Sequence, residues 1–225
     1  MRKINDAKGL ITIKNPLKVD GLLLSLPEIR YQASVKPDEK GAIKNRGVLK
    51  EPHSFKDWLF VYSTGKSPKR DDDDADNAVG VLKKSANTYG IKFSDPGYIT
   101  INGGGVKNWI QELQADVNKN GVPEIIVFFL APYEEKFYPE LKRFATNELK
   151  CPSQFIRKRT LGNPKGAMSA ASKIAIQMNI KVGAAPWEVT KSHQYFKGRN
   201  VMYGALSISK GKKGHTLAFV GTINN

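Results

Sequence analysis

At 225 residues the chain has room for one good-sized domain, or for one domain with flanking elements of a larger protein. Its 36 Lys+Arg against 21 Asp+Glu leave a formal net charge of +15, a field that attracts polyanions and nucleic acid above all. The longest apolar run, residues 125–131, is far too short to cross a bilayer. One cysteine, Cys151, excludes an internal disulfide and a cysteine-ligated zinc site, and His53, His193 and His215 are too scattered to suggest a metal. No metal or cofactor is therefore expected, and the single thiol suits a reducing cytosolic setting, or the nucleus.

Residues 1–50 are rich in Lys, Gly and Pro, carry only short extended runs such as 10–13, and read as a strand-and-linker segment. Asp57-Trp58-Leu59-Phe60-Val61-Tyr62 predicts a strand that ends at the turn Ser63-Thr64-Gly65. Residues 66–74 are expected to be a polar loop, with the run Asp71-Asp72-Asp73-Asp74 solvated and turned away from any polyanion. Ala78, Val79, Val81 and Leu82 predict a helix over 76–88, which Gly90 is placed to end.

A strand at 98–101 then leads into Asn102-Gly103-Gly104-Gly105, read as a tight turn because neither the Walker spacing nor the dinucleotide fingerprint is present. Val106, Trp109, Ile110 and Leu113 share one face of a helix over 106–117, and the wholly apolar 125–130 predicts a central strand covered on both sides. A helix over 135–149, a strand around Phe155-Ile156 and a helix from Pro164 to about Asn179 follow. The alternation predicts an α/β fold, a Rossmann-like parallel sheet with helices on both faces. The linker segment precedes it, and a C-terminal β-hairpin of residues 200–209 and 216–223 follows. A lone hairpin is marginal in water, so it packs on the α/β unit or belongs to a larger sheet.

Tyr138 and Lys142, four residues apart, project from one helix face. Gln154 opens the next strand, and Lys181 ends the next helix with Gln177 one turn earlier on the same face. In open α/β sheets a ligand sits outside the strand ends, where helices and loops converge. Two lysines, a phenol and amides meeting at one point suit a terminal phosphate, which carries about −1.5 to −2 charges. Lysine acts there as a point charge, and tyrosine can stack on a base and donate a hydrogen bond. Taken singly, Tyr138 and Lys142 read more readily as a half-buried phenol beside a solvated ammonium.

At these residues the chain resembles the MID region of eukaryotic Argonautes: a tyrosine, a lysine four residues on, a glutamine twelve beyond that, and a lysine ending the next helix. Met178-Asn179-Ile180-Lys181-Val182-Gly183 is similar to the family's helix end and glycine-rich turn. Leu26-Pro27-Glu28-Ile29-Arg30-Tyr31 and residues 41–58 resemble the linker that leads into MID, and residues 201–225 resemble the first hairpin of the PIWI domain. The resemblance implies a linker over 1–50, a MID domain over 51–190 and the start of PIWI over 191–225.

It also implies roles. Tyr138 stacks on the first base of a small guide RNA and touches its 5′-phosphate, while Lys142, Gln154 and Lys181 bind phosphate oxygens. Gln177 stands where many members have a further lysine. Pro132, Tyr133, Glu134, Glu135, Lys136 and Phe137 fall at the nucleotide-specificity loop, bulkier and more acidic here than that loop commonly is, so no base preference is carried over. The implied partners are a 5′-phosphorylated guide RNA and the remainder of a PIWI domain, with no membrane. The first PIWI strand usually carries a catalytic aspartate after a glycine, and here the chain reads Gly204-Ala205-Leu206-Ser207-Ile208-Ser209. Slicing needs carboxylates around two metal ions about 3.5–4 Å apart, and the others are expected beyond Asn225. A binding module without enzyme activity of its own is the leading expectation. The alternatives are a degenerate fragment acting as a protein-interaction scaffold and a nucleotide-using enzyme served by the Gly103 turn.

Overall fold

Six consecutive apolar residues, Ile125–Leu130, are all buried, and the α/β unit is assembled on both faces of the strand they form. The structure is a computed structural model and describes residues 3–6, 9–12, 21, 29–32, 34–35, 47–65, 67–162, 166–189, 200–211 and 214–223. Residues 26–28 and 41–46 of the linker motifs, Lys66 and the expected helix opener Pro164 lie outside the described residues.

The elements of the unit are β1 (Trp58–Thr64), α1 (Pro68–Asn87), β2 (Gly97–Asn102), α2 (Val106–Asn120), β3 (Ile125–Leu130), α3 (Tyr138–Arg143), β4 (Ser153–Arg157) and α4 (Ala167–Lys181). The strands are all parallel and lie in the order β4-β3-β1-β2. The chain steps from β1 to β2 in one direction, then crosses back to β3 and β4 in the other. Right-handed crossovers therefore put α1 on one face of the sheet and α2 and α3 on the opposite face. The side chains follow. Phe60, Tyr62, Val127, Phe129 and Ile156 pack with α1 and α4, while Leu59, Val61, Ile126, Phe128 and Leu130 pack with Trp109, Leu113 and Leu141.

One expectation is overturned. The acidic run is not a solvated loop, because α1 begins at Pro68 and contains it. Proline fits the first helical turn, and aspartates complement the positive end of the helix dipole. The carboxylates are also engaged: Tyr62 donates to Asp72 at 2.6 Å, Tyr98 donates to Asp76 at 2.8 Å, and Lys158 pairs with Asp71 and, at 3.6 Å, with Asp74.

The linker segment folds against the unit. Ile29–Arg30 pairs with both Ser34–Val35 and Glu188–Val189, Leu49 is buried, and the N–H of Leu49 donates to the Tyr89 carbonyl at 3.0 Å. Val48 and Pro52 lie so close to Gly90, at φ +77°, that a Cβ there would meet Val48 at 2.5 Å. The fully buried Asn179 holds this segment: it accepts from the His53 N–H at 2.8 Å and donates to the carbonyls of Glu51 at 3.1 Å and Ala184 at 3.3 Å.

The hairpin of β5 (Met202–Gly211) and β6 (Gly214–Ile223) is antiparallel, with Leu206 opposite Phe219 and Ile208 opposite Leu217. Leu206, Ile208, Leu217, Phe219 and Val220 are all exposed, so the α/β unit supplies no cover for them among the described residues.

Replacing Asn179 with Ala is expected to cost about 1–3 kcal/mol, since buried donors and acceptors lose their partners; urea unfolding midpoints of the two proteins check this. Asp71 gives a second test. Burial works against its charge, but hydrogen bonds from Lys158 and the Gly65 N–H outweigh it and hold the carboxyl below its ordinary value. Its contribution to stability is then complete above the unfolded carboxylate pKa of about 4 and is lost as pH falls through the lower folded value. A Lys158→Met variant is expected to be less stable at neutral pH and to lose less stability on acidification, as read by thermal melts across pH 2–7.

Candidate functional site

β4 is the edge of the sheet, with β3 on one side and no strand on the other among the described residues. An open edge presents unpaired backbone groups that must find partners. Here the Nζ of Lys181, in the last turn of α4, donates to the Ser153 carbonyl at 2.7 Å and to Gln154 Oε1 at 2.7 Å. Gln154 is nearly fully buried and turns its amide nitrogen to Gln177 Oε1 at 3.3 Å.

Because β4 alternates, Ser153 and Phe155 face the other side, where α3 lies. Lys142 donates to Ser153 Oγ at 3.0 Å. One turn earlier on α3, Tyr138 stands against Phe155 with its ring centroid 4.7 Å away and the planes at 72°. About half of the Tyr138 surface remains exposed. Lys142, Gln154, Gln177 and Lys181 are thus joined through hydrogen bonds about the start of β4, with Tyr138 beside them. The site lies at the amino end of this strand and not at the carboxyl ends that open α/β sheets ordinarily use; those ends are occupied by the aspartates of α1.

A cavity of about 340 Å³ opens here, lined by Lys142, Thr146, Lys150, Cys151, Pro152, Ser153 and Lys181. No carboxylate is among the lining groups, and neither Tyr138 nor the two glutamines reach its wall. Burial, with the nearby Lys142 ammonium adding to it, lowers the affinity of Lys181 for its proton. Two ammonium groups thus meet at one cavity with only neutral acceptors, an arrangement whose positive charge an anion can offset. Burial also pushes the Cys151 thiol up to about 11, which leaves it protonated and unreactive at neutral pH.

Lys150 and Ser153 were not singled out in the sequence. Ser153 was findable, since it precedes Gln154 on an expected strand. Lys150 was not, because its place in the wall depends on how α3 ends.

Residues Pro132–Phe137 form a 3₁₀ helix rather than an open loop. Its two acidic side chains are both engaged. Glu134 is buried and accepts from the Ala131 N–H at 2.8 Å, and Glu135 meets Arg157 at 3.2 Å and Arg159 at 3.2 Å. Lys136 lies over the Phe137 ring, 5.6 Å from its centroid, and Tyr133 is exposed. The helix expected over 135–149 is α3 continued by a wider π turn, Phe144–Glu148. Gly103 and Gly104, both at positive φ, make the tight turn before α2. Among the described residues no three His, Cys, Asp or Glu are grouped so as to hold a metal.

The Piwi domain family matches residues 125–224, a span that contains every site residue named above. Protein argonaute-3 of Drosophila melanogaster is 24% identical over the whole chain, and Piwi-like protein Siwi of Bombyx mori is 29% identical over 59% of it. The crystal structure of Drosophila Piwi superposes on 96% of the chain with a TM-score of 0.79 at 17% identity. The chain is similar to the Argonaute/Piwi family over residues 125–224. It spans 25% of argonaute-3, 14% of Siwi and 31% of the Piwi crystal chain. A structure of Aa-Ago with externally bound siRNA shares the fold more loosely, with a TM-score of 0.55 at 19% identity, covering 96% of this chain and 32% of its own.

Millimolar inorganic phosphate is expected to raise the unfolding temperature of this chain. The response should vanish in Lys142→Ala and Lys181→Ala. It should also fade as pH rises, because a lysine of lowered pKa loses its charge before an ordinary one. Differential scanning fluorimetry across pH reads both effects.

Proposed function

We propose that this chain grips the 5′-phosphate and first nucleotide of a small guide RNA, and so serves RNA-mediated silencing. The observation that supports this best is the pair of ammonium groups, Lys142 and Lys181, held by Ser153 and Gln154 at a cavity with no carboxylate in its wall. A terminal phosphate would complete that charge arrangement. Tyr138, half exposed and braced by Phe155, offers a ring on which the first base stacks. Gln177 orients Gln154 rather than meeting the ligand first. The 3₁₀ turn Pro132–Phe137 faces the base, with Tyr133 its exposed aromatic.

On this reading residues 1–50 are the linker, 51–190 the MID domain and 191–225 the opening of PIWI. The exposed hairpin then completes its sheet with the remainder of a PIWI domain. The chain does not cut RNA by itself, since the segment Gly204–Ser209 carries no carboxylate. Its place of action is the cytoplasm or the nucleus; no helix among the described residues is long and apolar enough to cross a membrane.

Fluorescence anisotropy with two short RNAs tests the proposal. The 5′-phosphorylated RNA is expected to bind more tightly than its 5′-hydroxyl twin, and the difference should shrink with salt. Lys142→Ala or Lys181→Ala is expected to weaken binding of the phosphorylated RNA roughly 10- to 100-fold, as befits a charge-assisted hydrogen bond. Tyr138→Ala should weaken both RNAs. Equal binding of the two RNAs by the unaltered chain overturns the reading.

A further inference from the structure

Among the described residues, Lys150 is the one residue other than glycine with a positive φ, at 55°. It sits where the π turn Phe144–Glu148 ends, and the N–H of Cys151 donates back to the Ala145 carbonyl at 2.9 Å to close the chain over it. A left-handed residue at a helix end is ordinarily glycine, or else asparagine, because a Cβ is disfavoured in that conformation. A lysine here therefore works against the local backbone. Such an outlier at a cavity points to a use for the side chain.

The surroundings say what the use is. Lys150 lines the same 340 Å³ cavity as Lys142 and Lys181. Both of those are committed to protein acceptors: Lys142 to Ser153 Oγ, and Lys181 to two oxygens that leave one of its three N–H groups free. Lys150 makes no ion pair or side-chain hydrogen bond with any described residue. Among the described residues it is the cation of this wall whose donors are all uncommitted. A phosphate monoester carries about −1.5 to −2 charges and three strong acceptor oxygens, more than the remaining donors of Lys142 and Lys181 satisfy.

We infer that Lys150 is a third phosphate-binding residue of the cavity, swung onto the terminal phosphate when the RNA end enters and free when it is empty. This rests on the guide-end reading above. The rival account is purely structural: a lysine after a helix complements the negative end of its dipole. The two accounts predict opposite effects of Lys150→Gly. Glycine relieves the left-handed backbone, so if the side chain serves the ligand, the variant melts at the same or a higher temperature yet binds 5′-phosphorylated RNA roughly tenfold more weakly. That is the loss of about one charge-assisted contact. Lys150→Arg should keep most of the affinity.

The experiment measures the full chain and both variants against matched 5′-phosphate and 5′-hydroxyl RNAs by anisotropy at several salt concentrations, with melting curves alongside. Expected are a loss confined to the phosphorylated RNA and a salt slope shallower by about 0.7, the single-strand value for one phosphate contact. Unchanged binding of phosphorylated RNA by Lys150→Gly, an equal loss for both RNAs, or a lower melting temperature with unchanged discrimination would each overturn the inference. If instead the unaltered chain fails to discriminate the two RNAs, the guide-end reading itself falls, so the two failures are told apart by the wild-type measurement.

Discussion

The open edge of β4 is the constraint on which the site depends. A strand paired on one side leaves backbone groups on the other that must be satisfied or covered. This protein answers with a lysine: Lys181 reaches back from the end of α4 to the Ser153 carbonyl and the buried amide of Gln154. That solution places an ammonium in a half-buried position without a counter-ion among the described residues, and Lys142 arrives from α3 on the opposite face to within hydrogen-bond reach of Ser153. Two faces of the sheet thus contribute to one cationic point because the strand between them has no outer neighbour. A fifth strand would have filled the place with backbone hydrogen bonds and removed the reason for the lysines to be there.

Net charge of +15 describes the chain but not the site. What matters is segregation. Asp71, Asp72, Asp74 and Asp76 are spent on Lys158, Tyr62 and Tyr98, where α1 begins after the carboxyl end of β1. Glu134 and Glu135 are likewise spent, one on the backbone that opens the 3₁₀ turn and one on two arginines. The acidic side chains of the 3₁₀ turn are therefore held by local partners, while the wall that Lys142, Lys150 and Lys181 share contains none. An unbalanced positive charge in a small concavity attracts anions.

Much of this was legible in the residues. The alternation of strand and helix and the buried 125–130 strand could be read because periodicity is a local property that tertiary packing then used without alteration, whereas the meeting of Lys142, Gln154 and Lys181 about β4 depends on long-range packing that spacing alone does not give. The acidic run was misread because four aspartates in a row suggest solvation. The Ser67-Pro68 step just before them was the better signal, since proline at the first turn and acid behind it are what a helix start requires. The end of α3 was illegible for another reason: a widened π turn shifts the backbone by a fraction of a turn, and nothing in Phe144-Ala145-Thr146-Asn147-Glu148 announces it. Lys150 enters the cavity wall only because of that shift.

The last turn of α4 does two jobs within three residues. Asn179, fully buried, is gripped by the backbone of the linker at His53 and Glu51, and the His53 ring is itself held by Glu124 at 2.7 Å. Lys181, two residues on, is turned the other way, into the cavity. In a helix, residues two apart point to opposite sides, so the linker pulls on one face of the turn while the edge strand is met by the other. Displacing the linker would free the turn that sets the depth of Lys181, and the distance between its ammonium and that of Lys142 would no longer be fixed. The segment that looks like a tether is in this sense a wall of the site at one remove: it touches no ligand, yet the spacing of the two cations depends on its staying in place.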